Sequence, residues 1–107
     1  MNQFEIWRAK PEGFSVAHYF VIISGTERCQ NEKQAFVNGL GCFTLRGQPK
    51  RVDVVLNGAD GFDHPTVCDC SYFYSLPKAI LKERTGTVGF ERQQVLKLRL
   101  REVFRLL

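Results

Sequence analysis

The side chains best suited to chemistry in this sequence are two histidines, His18 and His64, and the closely spaced pair Cys68 and Cys70. Histidine titrates near neutral pH, so His18, at the start of an apolar run, could take or give a proton. His64 lies between Asp63 and Pro65 in a turn, near Cys68-Asp69-Cys70, and that grouping raises the question of a metal. Zinc sites legible in a sequence usually show two spaced ligand pairs. Here a Cys-x-Cys on a strand has one nearby histidine and no second pair, so no metal site and no cofactor are expected, and the thiols are expected to be buried as small apolar groups. Asp69 is expected to be structural, bonding backbone near a turn.

The surrounding composition is that of an ordinary globular domain. Of 107 residues, 44% are hydrophobic and 24% charged, a balance that excludes a disordered tail and leaves no length for a second core. One domain over residues 1–107 is expected. A domain this small buries a modest share of its surface, which favours a homodimer. The net charge of +4 leans mildly toward polyanionic partners. No run of 18 apolar residues and no leader-like N-terminus is present, so a membrane is not expected and the cytoplasm is. In that reducing compartment Cys29, Cys42, Cys68 and Cys70 are expected as free thiols.

The elements that would position these groups are short strands followed by a helix. Phe4-Glu5-Ile6-Trp7 reads as a strand stopped by Lys10-Pro11-Glu12-Gly13, and His18 to Ser24 is the most β-branched run, a central strand. The polar stretch from Gly25 to Ala35 reads as a mobile loop. Phe36-Val37 and Leu40 to Leu45 read as strand with a bulge or bend at Gly39 and Gly41. Val52 to Leu56 and Pro65 to Phe73 add two strands across turns at Asn57-Gly58 and Asp60-Gly61. Pro77 to Lys82 suits a short helical turn, and Thr85 to Val88 an edge strand. From Phe90 onward Leu96, Leu100, Val103 and Leu107 recur on one face of a basic amphipathic helix. Short strands at this spacing suggest a closed or nearly closed small barrel.

Several segments, in order, resemble one family: Glu5-Ile6-Trp7, His18 to Ser24, Thr44, Val52 to Leu56, Ala59-Asp60-Gly61-Phe62, Cys68-Asp69, and Gly86-Thr87-Val88 before a terminal helix. The sequence is similar to the PemK/MazF (Kid) toxins of type II toxin-antitoxin systems. The resemblance implies an SH3-like small β-barrel of five to seven strands with a C-terminal helix. It also implies a homodimer, sequence-selective and metal-independent cleavage of single-stranded RNA, and neutralisation by a cognate antitoxin. In that family an Arg-Pro pair opens the long strand, whereas this sequence has His18-Tyr19 there; the family's threonine corresponds to Thr44.

Cleavage of this kind needs a base for the 2′-hydroxyl, an acid for the leaving 5′-oxygen and a cation at the phosphoryl group. His18 can act as base or acid, Thr44 can donate to a phosphate oxygen, and Arg46 can supply the fixed charge. These three are the expected catalytic residues. Tyr19, Phe14 and Phe43 are candidate stacking surfaces, with Lys50 and Arg51, and nearby Arg8 and Lys10, as candidate phosphate contacts. Two other readings stay open: a noncatalytic member of the same fold that binds RNA or a protein target, and a barrel module unconnected with RNA.

Overall fold

In the computed structural model, which describes residues 1–105, alternation of apolar and polar residues builds one curled antiparallel sheet. Its strands are β1 (Glu5–Ala9), β2 (His18–Ile22), β3 (Phe36–Thr44), β4 (Asp53–Leu56), β5 (Thr66–Pro77) and β6 (Glu83–Thr87). The order across the sheet is β4-β5-β3-β2-β1-β6, so β4 and β6 are its two edges, a half-barrel. Helix α1 (Thr26–Gln30) follows β2, and helix α2 (Phe90–Phe104) closes the chain. The segment from Gly25 to Ala35, expected as loop, therefore contains a short helix. Its one buried side chain, Cys29, was the apolar anchor that a search for periodicity over so few residues could not register.

The two sheet faces carry two cores. On one face Ile6, Val21, Leu40, Cys42, Leu56 and Cys68 pack together beneath Leu96 of α2. On the other, Phe20, Ile22, Val37 and Leu76 pack with Leu81, flanked by Trp7, Phe14 and Tyr74. In α2, Leu96 is fully buried, and Leu100 and Val103 pack partly against the first core; Leu107 lies outside the described residues. One cation of the helix is structural: Arg99 donates from Nη1 to the carbonyls of Arg51 and Asp53, tying α2 to the start of β4.

A register shift is present at Gly41 as expected, but the extra residues lie on the partner strand β5. Pairing of β3 with β5 runs in register to Leu40–Phe73 and resumes at Cys42–Cys68, so β5 bends away over the intervening residues. Asp69 stitches that bend, accepting from the Ser71 backbone N–H at 2.8 Å and from its hydroxyl at 2.6 Å. Gly41 serves a second purpose: a Cβ there would lie 3.0 Å from the Phe43 ring, which rests over the bare backbone. All four cysteines are free and buried. The thiols of Cys42 and Cys70 beside Cys68, and then burial, push the Cys68 thiol well above its ordinary value, which leaves it protonated and unreactive.

Two of the segments that carry the family resemblance, Ala59 to Phe62 and Gly86 to Val88, meet in one structural joint. Asn57 and Asp60 form a reciprocal cap over the 3₁₀ turn Gly58–Asp60. Asp60, 1% exposed, accepts from the Asn57 N–H at 3.0 Å and from the Gly89 N–H at 2.7 Å, which places its carboxylate at the N-terminal end of α2. Gly86 passes so close that a Cβ would sit 2.6 Å from the Asp60 carbonyl oxygen. Glu5, also buried, accepts from the Asn2 N–H and the Trp7 indole and pairs with Arg84 at 3.6 Å.

Candidate functional site

One open cleft of about 460 Å³ lies at the end of the sheet where β2 begins and β3 finishes. The register explains what gathers there. Tyr19 pairs with Cys42 and Thr44 pairs with Thr66, so the start of β2, the end of β3 and the start of β5 lie side by side. His18, Tyr19, Phe43, Thr44, Arg46 and His64 line it.

The two walls of the cleft come from opposite faces of the sheet, because side chains alternate along a strand. His18 stands on one side, its ring 5.3 Å from Phe14 and 5.4 Å from Phe43. Thr44 stands on the other, and its Oγ1 lies 3.2 Å from His64 Nε2. His64 Nδ1 in turn meets Asp63 Oδ1 at 2.5 Å. An ionised carboxylate can only accept, so Nδ1 carries a proton, and in the neutral ring Nε2 is left to accept the Thr44 hydroxyl proton. The hydrogen bond from His64 lowers the Asp63 carboxyl below the usual carboxylate range, which keeps it ionised through neutral pH.

The loop that presents His64 is held at each step. Phe62 is buried under Tyr19, ring centroids 5.5 Å apart. The Pro65 carbonyl accepts from the Leu45 N–H at 3.1 Å, pinning the loop to the end of β3. The buried Thr66 hydroxyl donates to the His64 carbonyl at 3.1 Å. The side chains of His64 and Asp63 themselves are 44% and 94% exposed, so the ring faces solvent while its backbone is fixed.

Of the residues named from the sequence, His18, Thr44, Arg46, Tyr19 and Phe43 share the cleft. Lys50 lines a neighbouring depression of about 330 Å³ that also borders Phe43, Thr44 and Arg46. Phe14 packs edge-on against Phe20 and Tyr74 and backs the His18 ring instead of lining the cleft. Arg51 lies apart: it lines a different cavity with Arg99 and Glu102 of α2. Arg8 pairs with Glu83 on the β1–β6 side, 3.9 Å away. The sequence reading missed His64 as a partner of Thr44. In the sequence His64 stands out only as a metal ligand; the signal of its other role is the Asp-His pair itself, a carboxylate next to an imidazole just before a strand. Among the described residues no group of three or more His, Cys, Asp and Glu is placed to hold a metal ion.

No family model and no curated protein matches the sequence. Solved structures do match in three dimensions. An endoribonuclease from Mycobacterial species, in complex with its cognate antitoxin, superposes with a TM-score of 0.84 at 18% identity, over 100% of this chain and 97% of that one. The fold is that of the MazF-type toxins. The Mycobacterium tuberculosis toxin MazF-mt6 superposes at 0.78 with 19% identity, over 95% of this chain and 97% of that one. A chain of the MazE-MazF structure from Deinococcus radiodurans gives 0.76 with 13% identity, over 100% and 98%. The MazF likeness therefore extends through every strand and α2, and at these identities it is a likeness of fold.

Proposed function

We propose that this chain is the toxin of a type II toxin-antitoxin system, a sequence-selective endoribonuclease that cleaves single-stranded RNA without a metal ion and leaves a 2′,3′-cyclic phosphate. The observation that carries the proposal is the cleft: in a MazF-like fold, it gathers two imidazoles, a hydroxyl and a guanidinium at one end of the sheet. Those are the groups that phosphodiester cleavage by a 2′-hydroxyl requires, a proton acceptor, a proton donor and a cation near the phosphoryl oxygens. The MazF-fold neighbours supply the rest of the reading, since they are described as endoribonucleases and toxins, two of them in antitoxin complexes.

The proposed assembly is a cytoplasmic homodimer bound by a cognate antitoxin. No helix among the described residues is long and apolar enough to cross a membrane. A groove lined by Ile23, Phe73, Leu100 and Phe104, with Ser24 and Asn38, lies between β5 and α2, and Phe73 and Phe104 in it are exposed. Such a patch suits burial against a second protein surface. Phe73→Asp should then shift the sedimentation of the purified protein from dimer to monomer.

The decisive assay is cleavage of a single-stranded RNA by purified protein in excess chelator, with the 3′ ends of the products identified. Cyclic phosphate ends, lost in Thr44→Ala, support the enzyme. His18-Tyr19 at the place of the family's Arg-Pro favours a second reading, a noncatalytic protein that uses the same cleft to bind RNA. Salt-dependent RNA binding with no cleavage at any pH would select it.

A further inference from the structure

We infer that His64 is the general base of this cleft and Asp63 its positioning residue, with His18 on the opposite wall as the general acid. The inference rests on the ribonuclease reading above and names the groups that move its protons. Three features of the structure converge on His64. Its Nε2 is already engaged as a hydrogen-bond partner by Thr44, the hydroxyl at the end of β3. Its Nδ1 is occupied by a carboxylate. Its own carbonyl and that of Pro65 are held by Thr66 and Leu45, so the ring is presented to the cleft from a fixed stem.

This sequence of hydroxyl, imidazole and carboxylate is the arrangement by which proteins orient a base and hold its tautomer. Asp63 keeps the ring proton on Nδ1. The free lone pair is then on Nε2, on the cleft side, where Thr44 marks the place a substrate hydroxyl would take. In the step so assigned, the 2′-hydroxyl gives its proton to His64 Nε2 as its oxygen forms a bond to phosphorus. The bond from phosphorus to the 5′-oxygen breaks, and that oxygen takes a proton from the imidazolium of His18. Thr44, released from Nε2 by the incoming substrate, donates to a non-bridging oxygen, and Arg46 lies close to the same charge. The two rings end with exchanged protonation states and recover them from water.

His64 is faced by Asp63 on its own loop, by Thr44 from β3, by Phe62 and Thr66 flanking it, and shares the cleft with His18, Tyr19 and Arg46. Only Asp63 among them is an anion, so only Asp63 can hold the proton on Nδ1. This division of labour also accounts for how a chain with His18-Tyr19 in place of Arg-Pro could retain a complete set of proton-transfer groups.

The test uses the full-length wild-type protein and three variants on an RNA oligonucleotide in chelator. His64→Ala should lower kcat by on the order of 10²- to 10⁴-fold, the usual contribution of a general base, with an unchanged thermal melt because the ring is solvent-facing. Added imidazole should restore part of the rate. Asp63→Ala and Asp63→Asn should lower kcat by at least about tenfold and up to about 10⁴-fold, as loss of a carboxylate that holds a base's tautomer does, with KM unchanged. In both, the ¹⁵N shifts of the His64 ring should lose the pattern of a proton held on Nδ1, a change that a merely structural aspartate would not cause. A substrate with 2′-deoxyribose at the scissile position should be inert. Active wild type with an equally active His64→Ala overturns this assignment alone. Cleavage of the 2′-deoxy substrate overturns it too, because the 2′-hydroxyl whose proton His64 is assigned to take would then not be the nucleophile. A wild type that cleaves no RNA overturns both the assignment and the ribonuclease reading beneath it.

Discussion

Asp60 and Asp63 are three residues apart in sequence and do opposite work. Asp60 is buried, and each of its carboxylate oxygens is taken by a backbone N–H, one from Asn57 and one from Gly89. Asp63 is 94% exposed and its partner is an imidazole that faces a cleft. A carboxylate whose acceptors are consumed by backbone donors fastens the fold and has nothing left with which to do chemistry. A carboxylate bonded to a titratable ring has its effect on that ring. The difference shows why the segment Ala59-Asp60-Gly61-Phe62 carries the family resemblance while the next two residues carry the candidate chemistry.

The contrast can be broken most directly at the buried member. Asp60→Ala removes the acceptor of two part-buried N–H groups and should cost about 3 kcal/mol, since a hydrogen bond to a charged group is typically worth about 1.5 to 3. Urea unfolding should show it as a lowered midpoint. Asp63→Ala in the same assay should stay within about 0.5 kcal/mol, as surface substitutions do. Equal losses of stability would mean that the two aspartates are not divided in the way described.

Next in size is Gly86→Ala. The Cβ would meet backbone of Asp60 at 2.6 Å, with no flexible side chain to give way, and overpacking of this sort costs about 1 to 3 kcal/mol. The loss should come with an unchanged kcat in the fraction that remains folded, because the joint lies outside the cleft. Gly41→Ala should behave in the reverse sense. Its new methyl meets the Phe43 ring, a side chain that can swing toward the cleft. Stability should fall by less than about 1 kcal/mol, while RNA affinity measured by titration changes more than it does in Gly86→Ala.

The smallest expected effect separates two arginines. Arg46 borders the cleft, whereas Arg51 lies beside α2. If Arg46 contacts a phosphate, Arg46→Ala should flatten the slope of log binding constant against log salt by about 0.7, the value for one contact to a single strand. Arg51→Ala should leave that slope unchanged. Matching changes in both variants would place RNA on a surface different from the one described.

Much of the frame was legible before any coordinates. The β-branched run from His18, the turn residues around Asn57-Gly58 and Asp60-Gly61, the break in pairing at Gly41 and the terminal helix each follow from local rules, because strand alternation, turn chemistry and helical periodicity depend on near neighbours in sequence. The short helix at Thr26–Gln30 escaped because five residues hold too little periodicity to be seen and one buried cysteine anchors it. The bend of β5 over Asp69 to Ser71 escaped for a related reason, since it is a shift of register against β3, a strand distant in sequence.

What the sequence determined by itself was the set of elements and the chemical inventory, two histidines, a strand-end threonine and an excess of cations. What only the tertiary structure decided was which of them meet. Thr44 and His64 are twenty residues apart in the chain and become hydrogen-bonded because β3 and β5 pair antiparallel, which brings the end of one beside the start of the other. Pairing of distant strands is set by how the whole core packs, and no local pattern records it.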